Sequence, residues 1–198
     1  MVADAALVSG RWEKVAFLDD KFTVLRTVLG LPVLAGLEAA AAHIQDYPDL
    51  VVAVGNNRLR VELLKKFSGL GFALPPVLHP AATVSRFASL APGVVVFAGS
   101  VVNAGSFVGL GAIINTGVTV DHDCVLGDGA HLSPGVHLAG EVRIGEFSWI
   151  GIGASVIQGI AIGADVIVGA GAAVIAPLPD NVTAAGVPAR FIKTGGAQ

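Results

Sequence analysis

NTGVTVDHDCVLGDGAHLSPGVHLAG, residues 115–140, carries an aliphatic side chain at every sixth position: Val120, Leu126, Leu132 and Leu138. Outward from this stretch the beat runs unbroken from Val84 to Val174, and all sixteen of its positions are Val, Ile or Leu. A short fixed period of this kind marks a repeat architecture. Four residues after each aliphatic stands Ala, Ser, Cys, Val or Ile, from Ala88 through Cys124 to Ala172. Glycine follows the aliphatic directly at Gly109, Gly127, Gly145, Gly151, Gly163 and Gly169. The spacing predicts short strands separated by tight turns, with these glycines relieving φ restrictions at the corners. Three hexads make a triangular coil of 18 residues, so the fifteen steps supply five coils, each stacking its aliphatics on the coil below. No loop longer than a turn interrupts the beat. Chemistry must therefore use coil surfaces, a neighbouring domain or another subunit, and the open end of the column needs a cap.

The composition suits such a column. The chain is 54% hydrophobic with 26 glycines but only 6% aromatic, so the core is built from Val, Ile, Leu and Ala. No charged residue occurs between Arg86 and Asp121, a run of 34 positions that resembles a membrane span in bulk hydropathy. Its apolar residues recur on the sixfold beat among Gly, Ser and Asn, whereas a spanning helix is apolar all round. The N-terminus carries no basic region followed by an apolar signal core. A net charge of -3 provides no basic field for nucleic acid or anionic membrane. The lone Cys124 offers neither a disulfide framework nor a thiolate zinc cage, which fits a reducing, cytoplasmic setting.

Residues 1–80 do not keep the beat. Their pattern predicts a helix over Ala3–Val8, a strand over WEKVAFLDD (12–20), a helix over Leu37–Ile44 and a buried strand LVVAV (50–54). A GNN turn, a helix over Arg58–Phe67 and a short strand at Pro76–Leu78 follow. Strands alternating with helices indicate a small parallel α/β domain. Ligands of such sheets sit at the carboxyl ends of strands, where Asp19, Asp20, Gly55, Asn56 and Asn57 fall; the same residue types also form turns and cap helices. The expected divisions are 1–80 for the α/β domain, 81–178 for the β-helix and 179–198 for a polar, proline-rich closing segment.

Three of five histidines, His122, His131 and His137, fall within one coil's length. His122 is flanked by acids in VDHDC, the pairing a general base needs, and it also reads as a surface histidine in a polar turn. Three neighbouring histidines raise a zinc site of the kind found in β-helix carbonic anhydrases, but their spacings of nine and six provide no close pair, and no metal is expected. No Gly-x-Ser-x-Gly elbow is present and Cys124 occupies an inward small position, which disfavours a covalent nucleophile.

With these residues in place, the register resembles the left-handed β-helix, or hexapeptide-repeat, acyltransferases. The stretch 115–140, together with FLDD, VAVGNNRLR and the closing GVPAR, is similar to sugar-nucleotide N-acetyltransferases of the PglD type and the related NeuD-type sialic acid O-acetyltransferases. The resemblance implies a small Rossmann-like α/β N-terminal domain followed by a left-handed parallel β-helix of about five coils. It implies a homotrimer with acetyl-CoA in the groove between neighbouring β-helices and a nucleotide-linked amino sugar held by the N-terminal domain. By that resemblance His122 is the general base and Asp123 orients it, and His131 contacts the thioester end of acetyl-CoA. Backbone at Ile152, Gly153 and Ala170 lines the cofactor groove, Asn115 faces the substrate, and Asp19, Asp20 and Asn56 hold the nucleotide. Family members begin with a strand and a glycine-rich turn ahead of the first helix. Here Met1 falls inside that helix, so the first strand and its phosphate-cradling glycines are expected to be missing. The rival readings are O-acetylation of sialic acid by the same catalyst, a zinc carbonic anhydrase-like enzyme and a non-catalytic β-helix scaffold.

Overall fold

The computed structural model describes residues 1–194. From Val77 onward the backbone is wound into coils whose two-residue strands pair in parallel with the strand eighteen residues on: Ile114 with Leu132, Val120 with Leu138, Leu126 with Ile144. The result is three stacked sheets, the faces of a prism. The first face holds Val77–Leu78, Val95–Val96, Ile113–Ile114, His131–Leu132, Trp149–Ile150 and Ile167–Val168. Thr83–Val84 begins the second face and Ser89–Leu90 the third. Val77–Leu78, expected as a strand of the N-terminal part, pairs with Val95–Val96 as the first rung of this stack.

The aliphatic second residue of each strand points inward and is fully buried at Val96, Val102, Val108, Ile114, Val120, Leu126 and Leu132. The small position shares that interior. Where it is serine, the hydroxyl is satisfied by a carbonyl fifteen residues on: Ser100 Oγ donates to Asn115 (2.6 Å), Ser106 to Asp121 (2.7 Å) and Ser148 to Gly163 (2.7 Å).

The glycines after the aliphatics act differently from expectation. None of Gly109, Gly127, Gly145, Gly151, Gly163 and Gly169 has positive φ. Each lies against the backbone or side chains of the next coil: a Cβ on Gly109 would stand 2.7 Å from Asp128 N, and one on Gly127 2.6 Å from Glu146 N. Relief of φ falls to a second set two residues later. Every sixth residue from Gly93 to Gly171 is in the left-handed region, with Asp123, Glu141, Phe147 and Asp165 replacing glycine.

The N-terminal part consists of α1 (Val2–Val8), a mixed sheet, a 3-10 helix (Leu37–His43) and α2 (Asn57–Gly69). The sheet is ordered β1 (Phe17–Leu18), β3 (Leu31–Ala35), β2 (Thr27–Val28), with β1 parallel and β2 antiparallel to β3. The strand expected over 12–20 thus shortens to two residues. Among the described residues, 50–54 join no ladder; a bridge lies just before them, from Asp49 to Ala73. Their alternation persists in packing, since Val52 enters a cluster with Leu64, Phe67 and Phe72 while Val51 packs against Ala5, Ala6, Val77 and Val95. The far end of the column is closed by a hairpin. Val182–Ala185 stacks in parallel on Ile167–Val168, and Arg190–Thr194 folds back antiparallel on it. The last four residues of the expected closing segment lie outside the described residues.

Helix α2 is pinned to the edge between the third and first faces by a buried cation. Arg60 is fully buried and has no carboxylate partner among the described residues. Its Nε–H donates to Gly111 O (2.7 Å) and Nη2 to Gly129 O (2.9 Å) and Asn57 Oδ1 (2.9 Å). Nη1 donates to Val54 O (2.9 Å) and Gly55 O (3.2 Å). Burial lowers its pKa from 12.5 to about 10, so it stays charged at neutral pH. Asn57 Nδ2 donates to Phe147 O (2.9 Å), and Arg58 lies over the Phe147 ring while pairing with Asp165. Arg60→Ala orphans the Gly111 and Gly129 carbonyls and leaves a void, so denaturant unfolding should show a loss of about 3–5 kcal/mol. Arg60→Lys retains charge but not the planar fork and should lose about 2 kcal/mol. Wild-type stability in both variants would show that the helix is held by other contacts.

Candidate active site

Each edge of the prism repeats one turn per coil, so the residues of an edge form a column. The edge between the second and third faces carries Asp121-His122-Asp123-Cys124. Asp123 is in the left-handed conformation (φ 58°), which Asp tolerates better than most side chains. His122 Nδ1 lies 2.9 Å from Asp123 Oδ2. An ionised carboxylate only accepts, so Nδ1 carries the proton and Nε2 is left as the basic nitrogen. Asp121 Oδ1 fixes the turn by accepting from the His122 N–H (2.9 Å) and from Asn103 Nδ2 (3.1 Å). The hydrogen bond to Asp123, with the charges of Asp121, Asp123 and Glu141, raises the His122 pKa above 6.5 against the opposing effect of desolvation. Both members of the pair are exposed. Cys124 points inward; burial raises its thiol pKa and its Sγ–H donates to Ala139 O.

The edge between the first and second faces is different. It carries Asn115, Ile152, Gly153 and Ala170, and its left-handed column is Gly99, Gly117, Gly135, Gly153 and Gly171 throughout. A Cβ on Gly117, Gly153 or Gly171 would meet nothing within 4 Å, so this edge is smooth and open. At the second residue of these turns, some N–H groups are claimed by a nearby carboxylate or amide: Thr116 by Asn115, Leu110 by Asp128. Those of Ile152, Ala170 and, on the other edge, Gly140 find no acceptor among the described residues. They are available as donors to a ligand.

The remaining histidines are dispersed. His131 is 9% exposed on the first face, stacked on Trp149 with centroids 4.8 Å apart, and both ring nitrogens lack a partner among the described residues. Desolvation, with a smaller contribution from Arg60, lowers its pKa to about 4. His137, on the second face, meets Thr119 Oγ1 at 2.8 Å. Among the described residues no group of three His, Cys, Asp or Glu is arranged to hold a metal ion, and no helix is long and apolar enough to cross a membrane.

In the N-terminal part the predicted ligand residues each have a local task. Asp19 Oδ1 accepts from Lys21 N (2.8 Å), Asp20 Oδ1 from Leu37 N (2.9 Å), and Asn56 Oδ1 caps α2 through Leu59 N (2.9 Å). The sequence pattern left Arg60 unassigned and put Asn57 only among the strand-end turn residues, although the spacing Asn57, Arg60, Val61, Leu64, Phe67 puts both on the buried face of α2.

Residues 1–67 match the family model of the PglD N-terminal domain. The acetyltransferase domain of PglB from Neisseria gonorrhoeae, solved in complex with acetyl coenzyme A, is 43% identical. The match covers 96% of this chain and 92% of that one with a TM-score of 0.92. PerB from Caulobacter crescentus, in complex with CoA and GDP-perosamine, is 44% identical over 97% and 91% of the two chains with a TM-score of 0.91. WeeI from Acinetobacter baumannii is 27% identical over 89% and 85%, with a TM-score of 0.83.

The buried His131 also predicts acid sensitivity. Its folded pKa lies below the unfolded value of 6.5, so its contribution is fully present above pH 6.5 and is lost as the pH falls through about 4. The loss is on the order of 3 kcal/mol. Melting curves at pH 7 and pH 4.5 should show a smaller drop for His131→Phe, which keeps the stack on Trp149, than for wild type. Equal drops would place the acid sensitivity elsewhere.

Proposed function

Because the chain belongs to the PglD-type left-handed β-helix acetyltransferases, we propose that it transfers the acetyl group of acetyl-CoA to the amine of a nucleotide-linked amino sugar. The observation that carries this reading is the exposed His122–Asp123 pair, with Nδ1 tied to the carboxylate and Nε2 left basic. Nε2 takes a proton as the sugar amine attacks the thioester carbonyl. The C–N bond forms, the C–S bond breaks, and the proton passes from His122 to the departing CoA sulfur. General-base help of this kind contributes about 10²–10⁴-fold in rate. The unclaimed Gly140 N–H, beside His122, is the donor for the developing oxyanion. The surrounding Asp121, Asp123 and Glu141 charges suit an amine at the point of attack.

The site needs more than one copy of the chain. His122 stands on one edge of the second face, while the open glycine edge with Ile152, Gly153, Ala170 and Asn115 borders the opposite side of that face. In a homotrimer the two edges meet between neighbours, so acetyl-CoA lies along the glycine edge of one subunit with its thioester at His122 of the next. Ile152 and Ala170 N–H groups then donate to the cofactor's carbonyl oxygens. The nucleotide binds in the N-terminal part, where Asp19 Oδ2, Asp20 Oδ2 and Asn56 Nδ2 are not used by the local turns, and Asn115 Nδ2 is likewise open to the sugar. Acetyl-CoA and nucleotide sugars place this reaction in the cytoplasm.

CoA release from acetyl-CoA, assayed with UDP- and GDP-linked amino sugars, should require the amino sugar and fall at least a hundredfold in His122→Ala without loss of the trimer. Turnover that persists in this variant, or that needs a hydroxyl acceptor instead, contradicts the reading. Neutral His122 is the active form, so kcat/KM should rise with pH through a midpoint above 6.5. Asp123→Asn, which tolerates the left-handed backbone, should move that midpoint down; an unmoved acid limb would separate Asp123 from the base.

A further inference from the structure

Gly140 is anomalous for its place in the repeat. It holds the second position of a turn, where the other hexads from Ala98 to Ala170 carry Ala, Leu, Thr, His, Asp, Pro, Glu, Ile or Gln, and on its own edge Ala104 and Gln158 occupy the same position. Its φ is not in the left-handed region, so the backbone does not require glycine there. Nor does the next coil, in contrast to Gly109 or Gly127. The crowding comes from one side chain. A Cβ on Gly140 would stand 2.5 Å from His122 Nε2, 2.6 Å from Cε1 and 3.1 Å from Cδ2. A second glycine crowds the other member of the pair: at Gly105, one coil below Asp123, a Cβ would overlap Asp123 Oδ1 and come within 3.1 Å of Cγ.

We propose that Gly140 is a positioning residue of the active site. The absence of its side chain forms the seat on which the His122 ring lies, and Gly105 provides the matching seat for the Asp123 carboxylate. Filling either seat forces ring or carboxylate out of the 2.9 Å contact that holds Nδ1 protonated and Nε2 basic. For turnover this rests on the reading of His122 as the base; the seat itself is a statement about where the ring can lie.

Gly140→Ala is the direct test, since Ala104 shows that alanine is accepted at this turn position; Gly105→Ala presses on the pair from the opposite side but also strains a left-handed backbone (φ 74°), so it serves as the secondary variant. The measurements are the titration midpoint of the His122 imidazole by NMR, thermal melting, and kcat and KM for acetyl-CoA and amino sugar. In both variants the His122 midpoint should fall toward its value in Asp123→Asn. Turnover should drop about a hundredfold, the scale expected for an ångström-level misplacement, and Gly140→Ala should melt as wild type does. An unchanged His122 midpoint overturns the proposal, whether or not turnover falls, because any loss would then arise without moving the ring. If His122→Ala is itself near normal in turnover, the base reading fails while a lowered midpoint in Gly140→Ala still establishes the seat.

Discussion

Everything in this molecule follows from one constraint, that each coil must meet the next at the same residue eighteen positions later. Because the main-chain N–H and C=O groups of a two-residue strand are satisfied only by the coils above and below, one inserted residue would shift every later side chain off its column. The stack therefore tolerates variation only in side chains that leave the prism, at the outward position of each strand and at the edges. The three edges have accordingly specialised. One docks α2 through Arg60, Asn57, Phe147 and Asp165, one is a bare glycine rail, and one carries a titratable pair.

Specialisation of an edge is visible where a residue departs from the repeat. Phe147 and Asp165 occupy left-handed positions that are elsewhere mostly glycine, and each is engaged by Arg58. Asp123 occupies the same kind of position and is engaged by His122. In each case an unfavourable backbone conformation coincides with a side-chain contact that a glycine could not make. Gly140 is the converse, a glycine at a position that elsewhere bears a side chain.

The sixfold beat made the column legible from sequence because its cause is local and repeated: an inward aliphatic must recur wherever the chain completes a face. Cys124 reads as an inward small position for the same reason, and the structure has it buried there, with His122 exposed in the turn before it. The N-terminal part was harder to read. Residues 50–54 alternate as a strand does, yet alternation reports which faces are buried, and here the two faces serve two different clusters with no neighbouring ladder. The turn glycines were misassigned because composition cannot separate a need for positive φ from a need for closeness, although each glycine after an aliphatic serves only the second. Arg60 was legible in principle from its place on the apolar side of α2, but its acceptors are carbonyls of Gly111 and Gly129, which leave no mark in the identity of those residues.

The clamp at Arg60 also sets an order of events during synthesis. Helix α2 leaves the ribosome before the coils that receive it, and two of the five acceptors of its guanidinium belong to residues made some fifty to seventy positions later. Until the turns at Gly111 and Gly129 exist, the guanidinium has only its Val54, Gly55 and Asn57 acceptors and Leu64 is covered only by its cluster with Val52, Phe67 and Phe72, so the earlier part of the chain waits for the later part before it can close. The nascent N-terminal segment is thus a client of its own solenoid, and the interval in which it stands open is the time needed to translate about three coils.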